Sequence, residues 1–371
     1  MKYISCFSGI GGLEGDKPPT LFCELDSACR SYLSTQYPDA QLHDDIRTLN
    51  PPDVDLVCGG WPCQDVSVAG KQVGLVGHRS GLLSELLRVA KVSGAQTVIA
   101  ENVANLLKLR NGDEFTDALS MFHDAGFPCV SWRILNARMF GLPQHRTRLI
   151  IIASQSADIS NTLFRCLPAL PDKCVNPSKR DLASGFYWTA GIHSINYSRG
   201  YVPTVKVGSS LSIPSPPAVF YKETVRQLSA LEALRLQGFD NFFPSMLNSD
   251  LYKMAGNAVP RPMGRWVFDG VVNGKQPVEA LIASPRQLGL FDEDMVRYGE
   301  CGISTRGLIN HYRLPVANAK AVNLIDYLDL ESTERLSNRA VKGLLGRLDK
   351  SGQPCPNDLR QVLETYVKGE D

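Results

Sequence analysis

Short apolar runs that alternate with helical patterns constrain the fold of this chain more than any other feature of its sequence. The runs have the length and composition of β-strands and lie at residues 3–7, 20–23, 56–58, 97–100 and 149–152. Apolar residues recur with helical spacing between them, at residues 27–36, 82–92 and 114–125. This alternation predicts an α/β fold with a largely parallel sheet and helices on both of its faces.

The length of the chain allows two or three domains, and its composition is that of a globular protein. The chain has 371 residues, of which 43% are hydrophobic and 21% charged. A net charge of +1 neither indicates nor excludes a nucleic-acid partner, because a basic cleft can exist within a balanced total. We predict no signal peptide and no membrane span, since the sequence enters its first strand directly and lacks a long apolar run. The ten cysteines show no zinc spacing, so we expect no metal site and a reducing, cytoplasmic location.

The remainder of the chain differs in texture. Proline and serine are frequent between residues 154 and 225, where Lys and Arg outnumber Asp and Glu, and this predicts an irregular or β-rich segment. A helical pattern returns at residues 225–236. Residues 275–371 carry amphipathic patterns at 324–330 and 340–348, which predict a helical appendage. That appendage could be a DNA clamp, a partner-binding module or a stabilising cap.

A cysteine and a glutamate follow two of the predicted strands. Cys63 comes after Gly59-Gly60-Trp61-Pro62, and Glu101 directly follows the run at residues 97–100. The carboxyl ends of strands are where α/β sheets place their chemistry. A thiol and a proton donor facing one pocket suit covalent chemistry on a ring with a protonatable nitrogen, such as cytosine. Most cysteines are buried fillers, but Cys63 lies among glycines and polar residues, which favours a nucleophile.

A glycine-rich segment, Phe7-Ser8-Gly9-Ile10-Gly11-Gly12, follows the first predicted strand. Glycines let the backbone pass close to a bound cofactor, and Glu24 at the end of the second strand could bind a ribose hydroxyl pair. Asp45 could accept a hydrogen bond from an adenine amino group. The alternative is a glycine-rich turn with two surface acids, and this segment alone leaves both interpretations open.

Two further segments contain candidate site residues. In Gln144-His145-Arg146-Thr147-Arg148, the two arginines could grip a phosphate or a base carbonyl, although spacing alone favours solvated arginines. In Gly256-Asn257-Ala258-Val259-Pro260, Asn257 could be a helix cap.

Taken in order, these segments resemble the motifs of the cytosine-C5 DNA methyltransferase family. Besides the segments above, the series includes Arg79 with Leu82, Glu101-Asn102-Val103, and Arg226-x-Leu228-Ser229-x-x-Glu232-x-x-x-Leu236-Gln237-Gly238-Phe239. Any one motif could arise by chance, whereas the whole series in this order is specific. The resemblance covers roughly residues 1–270 and is weakest between 154 and 225.

The resemblance implies a Rossmann-like, S-adenosylmethionine-dependent methyltransferase fold with a small target recognition domain. The amphipathic patterns after residue 275 add a helical C-terminal appendage to this fold. The resemblance divides the first 272 residues into a first catalytic part at residues 1–153, a target recognition segment at 154–225 and a return to the catalytic domain at 226–272. The helical appendage, at residues 275–371, lies outside the resemblance.

The resemblance also assigns roles to individual residues. Cys63 matches the nucleophile with Gln64 beside it, Glu101 matches the acid that engages cytosine N3, and Arg146 and Arg148 match residues that hold the base or the catalytic loop. The expected contacts with S-adenosylmethionine are Phe7, Gly9, Ile10, Gly11, Gly12, Glu24, Leu25, Asp45, Ile46, Pro62, Leu82, Asn257 and Ala258. The expected DNA contacts are Ser67, Arg79, Arg180, Arg199, Thr204 and Lys206.

The implied partners are double-stranded DNA and a cognate restriction endonuclease, with the enzyme acting as a monomer on DNA. The family usually has Asp-Leu before the first Phe, whereas Ser5-Cys6 stand here, so a carboxylate near the methionine end of the cofactor is either missing or supplied elsewhere. Trp61 also replaces the usual Pro or Phe. The alternatives are a tRNA cytosine-C5 methyltransferase, whose usual Cys-Phe-Thr signature is not found between residues 154 and 225, and a catalytically inactive DNA-binding relative.

Overall fold

The computed structural model describes most of the chain, with gaps. The described residues are 1–62, 80–168, 182–188, 195–207, 216–240, 246–274, 282–283, 301–305, 308–313, 323–332, 335–351 and 355–368. They form two compact units. The first unit draws on residues 1–136, 147–168 and 259–317, and the second on residues 137–146, 169–258 and 318–371.

The strands and helices alternate through the first part of the chain. The strands are β1 (Tyr3–Cys6), β2 (Leu21–Cys23), β3 (Gln41–His43), β4 (Leu56–Gly60), β5 (Thr97–Val103), β6 (Cys129–Asn136), β7 (Gln144–His145), β8 (Thr147–Ser154), β9 (Ser184–Phe186), β10 (Ser198–Arg199), β11 (Val202–Pro203), β12 (Ala218–Tyr221), β13 (Thr224–Gln227), β14 (Ile282–Ala283), β15 (Cys301–Thr305) and β16 (Leu308–Arg313). The α-helices are α1 (Ser27–Gln36), α2 (Ser80–Val92), α3 (Asp113–Asp124), α4 (Ala157–Asn161), α5 (Ala230–Arg235), α6 (Asn248–Asn257), α7 (Arg261–Asn273), α8 (Asn338–Ser351) and α9 (Asn357–Lys368).

The first unit is built on one sheet with the strand order β14-β16-β15-β6-β8-β5-β4-β1-β2-β3. Strands β1 to β5 pair in parallel, whereas β8, β6, β15, β16 and β14 continue the sheet in antiparallel pairing. The predicted α/β fold is therefore confirmed. The central parallel strands read as continuous apolar runs because helices cover the sheet, and residues of α2 and α3 share one core cluster with those strands.

The second unit contains a four-stranded antiparallel sheet, β10-β9-β12-β13, and the two-stranded pair β11-β7. One face of the four-stranded sheet shares a hydrophobic core with α8 and α9. That core contains Phe186, Ile195, Ala218, Phe220, Val225, Leu336, Val341, Leu344, Leu348, Leu359 and Leu363. The apolar residues of α8 recur at helical spacing, so one side of the helix is buried on the sheet. Helices near the end of the chain thus complete the core of the β-rich segment.

Some elements differ from the sequence-based expectations. Val225, where a helical pattern was expected to begin, lies in strand β13. Helix α5 begins only after Ser229, and Ser229 caps this helix in a capping box with Glu232. Strands β15 and β16 lie in the segment for which only helices were expected, and β15 pairs with β6. The pattern at residues 324–330 forms a short 3-10 helix, Leu324–Tyr327. Within the described parts of the chain, no helix is both long and apolar enough to cross a bilayer.

Candidate active site

The glycine-rich loop after β1 reverses direction by means of unusual backbone angles. Phe7, Gly9 and Gly11 have φ values of 52°, 55° and 80°. These positive values favour glycine, which is the residue found at positions 9 and 11. A Cβ added to Gly9 would meet no atom within 4 Å, so open space adjoins the loop there. Gly12 is constrained differently, since a Cβ would collide with the carbonyl of Val259, and Gly264 of α7 is packed against the Gly12 carbonyl.

Glu24, directly after β2, holds this loop. Its Oε2 accepts a hydrogen bond from the Gly9 amide at 2.7 Å, and its Oε1 accepts one from the Asp26 amide at 2.8 Å. Asp26 in turn caps the amino end of α1. Leu25, between Glu24 and Asp26, is 67% exposed, so a large apolar side chain faces solvent beside this loop. A carboxylate has about four acceptor positions, so Glu24 can still accept ligand hydroxyl groups.

Asp45 follows the adjacent strand β3. It forms an ion pair with Arg47 at 2.6 Å and accepts the Arg47 amide at 3.0 Å, and these bonds hold the pKa of Asp45 below its usual range. The next residue, Ile46, is buried, and its carbonyl accepts from Arg88 of α2. Leu82 packs at the border of the same core. Because β1, β2 and β3 are parallel neighbours, the glycine loop, Glu24 and Asp45 lie at one edge of the sheet.

Glu101 lies at the same edge, on β5. Its register partner on β4 is Gly60, and a Cβ on Gly60 would come within 2.7 Å of the Glu101 Oε2. Arg148 Nε lies 2.7 Å from the Glu101 Oε1, with the two side chains only 12% and 11% exposed. A buried guanidinium–carboxylate pair of this kind is a strong, directional interaction. The glycine at position 60 therefore makes room for the carboxylate, and Arg148 orients it.

Asn102 fixes the end of β4 beside this pair. Its side-chain amide donates to the Trp61 carbonyl at 3.3 Å, while its Oδ1 accepts the Val103 amide at 2.8 Å. Trp61 is buried in the core of the first unit, so the departure from the family pattern is accommodated by packing. Pro62 is the last described residue before a gap. The predicted residues Cys63, Gln64, Ser67 and Arg79 lie outside the described residues, as does Arg180.

Arg146 belongs to the second unit, whereas Arg148 belongs to the first. Arg146 is 1% exposed, and its guanidinium donates to the Val205 carbonyl at 2.8 Å. It also donates to the carbonyls of Gly256 and Ala258, at 2.9 and 2.7 Å. The structure therefore gives Arg146 backbone carbonyls of two distant segments as partners, which is a connecting role that the sequence did not suggest.

Gln144 and Gln237 extend this network. Gln144 donates to the Leu236 carbonyl at 2.8 Å and accepts the Val205 amide at 2.9 Å, while Gln237 donates to the Ala255 carbonyl at 2.8 Å. A Cβ on Gly256 would collide with the Val207 amide, so the end of α6 lies directly against this backbone. Three of the sequence motifs thus meet through buried backbone contacts.

A second buried pair accounts for the Arg226 motif. Both terminal nitrogens of Arg226 donate hydrogen bonds to the Glu232 carboxylate, at 2.8 and 2.7 Å. Glu232 also accepts hydrogen bonds from the backbone amides of Ser229 at 2.7 Å and Asp329 at 2.6 Å. With both oxygens occupied in a buried position, Glu232 is structural.

The remaining predicted residues lie in the second unit. Asn257, exposed, is the last residue of α6, and Ala258 is its buried C-cap. Arg199 is exposed on β10. Thr204 donates to the His145 carbonyl at 2.6 Å, and Lys206 places its Nζ 4.4 Å from the centre of the Tyr187 ring.

Glu14 was absent from the predicted site. It lies two residues after Gly12 and is 4% exposed, with its carboxylate bonded to the Ser5 hydroxyl and, at 2.7 Å, to the Leu13 amide. Burial raises its pKa to about 7. The only sequence signal was an acid between Leu13 and Gly15 directly after the glycine run.

Comparisons with known proteins agree on one family. The family model for C-5 cytosine-specific DNA methylases matches residues 1–183 and 172–273. The type II methyltransferase M2.BsuMI of Bacillus subtilis is 31% identical over 373 residues, covering 94% of this chain and 93% of its own, so that similarity extends past residue 273. The type II methyltransferase M.HaeII of Haemophilus aegyptius is 27% identical over 321 residues, covering 78% of this chain and 99% of its own.

A solved structure supports the same fold. A putative DNA modification methyltransferase encoded within an Escherichia coli prophage superposes with a TM-score of 0.50 at 18% identity, covering 74% of this chain and 99% of that chain.

Proposed function

Because the chain belongs to the family of C-5 cytosine-specific DNA methylases, we propose that it transfers a methyl group from S-adenosylmethionine to C5 of cytosine within a short, specific sequence of duplex DNA. The observation that supports this most directly is the Glu101–Arg148 pair at the end of β5, across from Gly60 on β4. Cys63, the proposed nucleophile, follows Gly60 by three residues in the sequence.

The proposed reaction begins with attack of the Cys63 thiolate on C6 of cytosine. A bond forms between the sulfur and C6, and electron density moves to N3 and C5, which makes C5 able to take a methyl group. S-adenosylmethionine supplies that methyl group as an electrophile when it is bound. Water then accepts the C5 proton while the bond between sulfur and C6 breaks, which expels the thiolate, and the proton on N3 returns to Glu101, so the aromatic ring is restored. Gln64 is proposed to assist beside the nucleophile.

Glu101 is proposed to act at N3. As negative charge develops there, a protonated Glu101 donates to N3, and Arg148 stabilises the carboxylate that remains. The distance of 2.7 Å between Arg148 Nε and Glu101 Oε1 supports this, because the guanidinium lies where it can stabilise the carboxylate that remains after Glu101 donates to N3. Arg146 is proposed to support the site indirectly, since its partners are the carbonyls of Val205, Gly256 and Ala258.

The residues at the carboxyl edge of the sheet fit S-adenosylmethionine. Open space adjoins Gly9, as a ligand passing the loop requires. Glu24 would bind the ribose hydroxyls and Asp45 the adenine amino group, while the exposed Leu25 side chain would cover the adenine ring. The other proposed contacts are Phe7, Ile10, Gly11, Gly12, Ile46, Pro62, Leu82, Asn257 and Ala258.

Chemistry at C5 and C6 requires the target base to leave the helix, since neighbouring bases cover both faces of a stacked base. We propose that the second unit binds the duplex around that base. Exposed Arg199 and Lys206 are candidates for phosphate or base contacts, with Thr204, Ser67, Arg79 and Arg180 as further candidates. The sheet of this unit begins within the predicted recognition segment at residues 154–225 and shares its core with α8 and α9, which supports a recognition domain that includes these two helices.

The relatives M2.BsuMI and M.HaeII are type II methyltransferases, which supports a role in protecting DNA from a cognate restriction endonuclease. We propose that the enzyme works in the cytoplasm and as a monomer on DNA.

The test is expression in a host that lacks cytosine-C5 methylation, followed by bisulfite sequencing of its DNA. We expect 5-methylcytosine at one short motif, and none in cells that express Cys63→Ala. Methylation that persists in the variant would overturn the nucleophile assignment. Absence of DNA methylation in both, with methylation of host tRNA instead, would overturn the DNA substrate.

A further inference from the structure

Glu14 is a buried acid that the proposed reaction does not use. Its Oε1 accepts from the Ser5 hydroxyl, and its Oε2 accepts from the Leu13 amide at 2.7 Å. Ser5 lies in β1, before the glycine loop, and Leu13 lies directly after it. One carboxylate therefore joins the two ends of the loop formed by residues 7–12.

The carboxylate also lies close to the loop itself. A Cβ built on Gly11 would lie 3.7 Å from the Glu14 Oε2. Ser8, within the loop, is hydrogen-bonded to the Ser5 hydroxyl at 3.0 Å, so the contact with Glu14 continues into the loop. A change in the charge of Glu14 would act directly on the backbone that, on the proposed function, meets the cofactor.

The groups that face Glu14 come from several elements. Tyr3 from β1, Tyr37 at the end of α1 and Cys58 from β4 are neutral when protonated, and Arg261 of α7 is the cation that acts on it. The two hydrogen-bond donors given above are neutral as well. Burial outweighs the effects of these donors and of Arg261 and raises the pKa of Glu14 to about 7, so its charge can change near neutral pH.

We propose that Glu14 is a positioning residue for the methyl donor: as a carboxylate it holds the glycine loop in its binding conformation and favours the positively charged sulfonium of S-adenosylmethionine over the neutral thioether of S-adenosylhomocysteine. This inference rests on the proposed function. Ser5 stands where the family usually has Asp, and its hydroxyl donates to Glu14 and so orients the Glu14 carboxylate.

Charge explains the expected discrimination. Attraction between a buried carboxylate and a sulfonium is stronger in a protein interior than in water, whereas the thioether product carries no such charge. Protonation of Glu14 removes this attraction. The affinity for S-adenosylmethionine should therefore fall as the pH is lowered through about 7, and by linkage, binding of the cation should release a proton from Glu14.

The test is isothermal titration calorimetry of the full chain with S-adenosylmethionine and with S-adenosylhomocysteine between pH 6 and 9. We expect Glu14→Gln to weaken S-adenosylmethionine binding about tenfold at pH 8.5 and to weaken S-adenosylhomocysteine binding much less. Glu223→Gln, an exposed change in the β12–β13 turn, is the matched control and should behave as the wild type. Equal losses for both ligands would overturn the discrimination by charge.

Proton release separates this role from a merely structural one. Titration near pH 7 in buffers of different ionisation enthalpy should give a fractional proton release for the wild type that disappears in Glu14→Gln. The α-amino group of the ligand also titrates near pH 8, but it contributes equally to both proteins and cancels in the difference. Identical proton release in both proteins would overturn the proposal.

A second variant guards against misfolding. Ser5→Asp combined with Glu14→Gln returns a carboxylate to the same contact from the other side, so we expect it to recover most of the lost S-adenosylmethionine affinity. A folded double variant without recovery would contradict the proposal. Failure of the wild-type protein to bind S-adenosylmethionine at any pH would instead overturn the proposed function.

Discussion

Glu14 and Glu101 are both buried acids of the first unit, yet their surroundings differ. Glu101 is paired with the guanidinium of Arg148 at 2.7 Å. Glu14 has a hydroxyl and a backbone amide as its hydrogen-bond donors, and burial raises its pKa to about 7. Burial alone therefore does not define what a carboxylate does. The comparison suggests that a full countercharge suits an acid for reaction chemistry, whereas neutral donors leave an acid able to titrate beneath a loop.

The largest expected effect comes from replacing Glu101, the proposed acid at cytosine N3. We expect Glu101→Gln to slow methyl transfer by about 10²–10⁴-fold, because the amide cannot give a proton to N3. Its affinity for S-adenosylmethionine should hardly change. Glu14→Gln should do the reverse, with a nearly unchanged single-turnover rate at saturating cofactor. Single-turnover transfer to duplex DNA measures both, and equal rate losses in the two variants would remove the distinction between them.

The countercharge can be tested next. We expect Arg148→Gln to slow methyl transfer by about 10²-fold, since the carboxylate left after proton donation loses its stabilising guanidinium. The rate of methyl transfer in Arg148→Lys should lie between those of Arg148→Gln and the wild type, because an ammonium keeps the charge but not the planar donor geometry. A double-mutant cycle with Glu101→Gln checks the pair. Additive losses would mean that Arg148 acts independently of Glu101.

The pH dependence of stability should distinguish Glu14 from acids of ordinary pKa. Its pKa is raised from 4.5 to about 7 in the folded protein, so the folded state binds more protons between these values, and stability falls as the pH rises through that window. Above pH 7 the loss is complete and amounts to about 3 kcal/mol. The free energy of unfolding of Glu14→Gln, measured relative to that of the wild type, should therefore rise by about 3 kcal/mol between pH 4.5 and pH 8.

Urea unfolding of both proteins at a series of pH values measures this difference, and other titrating groups cancel. A difference that stays constant with pH would show that Glu14 does not titrate in this range.

The smallest expected effect concerns Ser5. Its hydroxyl donates to Glu14 and lowers the pKa of that carboxyl against the opposing effect of burial. We expect Ser5→Ala to move the midpoint of the pH-dependent S-adenosylmethionine affinity upward, with a loss of only a few-fold at pH 8.5. An unchanged midpoint would separate Ser5 from the behaviour of Glu14.

The sequence predicted the positions that depend on strand ends. The glycine loop, Glu24 and Glu101 each follow an apolar run, and parallel strands bring such positions to one edge. Glu14 could not be found this way, because its contact with Ser5 exists only after Gly9 and Gly11 reverse the chain with positive φ values.

Arg146 is a different kind of case. Its partners are backbone carbonyls 59 to 112 residues away, and a carbonyl has no residue-specific signal in a sequence. Spacing alone therefore treated Arg146 and Arg148 alike, although one connects backbone segments of the second unit and the other pairs with Glu101. Strand β15 was missed for a related reason, since its partner β6 lies far away in the chain.

The shared core of the second unit has a consequence for how the protein is made. Phe186 and Phe220 pack with Leu344 and Leu363, which are translated more than a hundred residues later. Contacts so distant in sequence form slowly, and on the ribosome they cannot form at all until α8 and α9 have emerged. The sheet completes its core only after α8 and α9 have been synthesised, so a nascent or truncated chain that lacks these helices would have the glycine loop before it has a finished second unit.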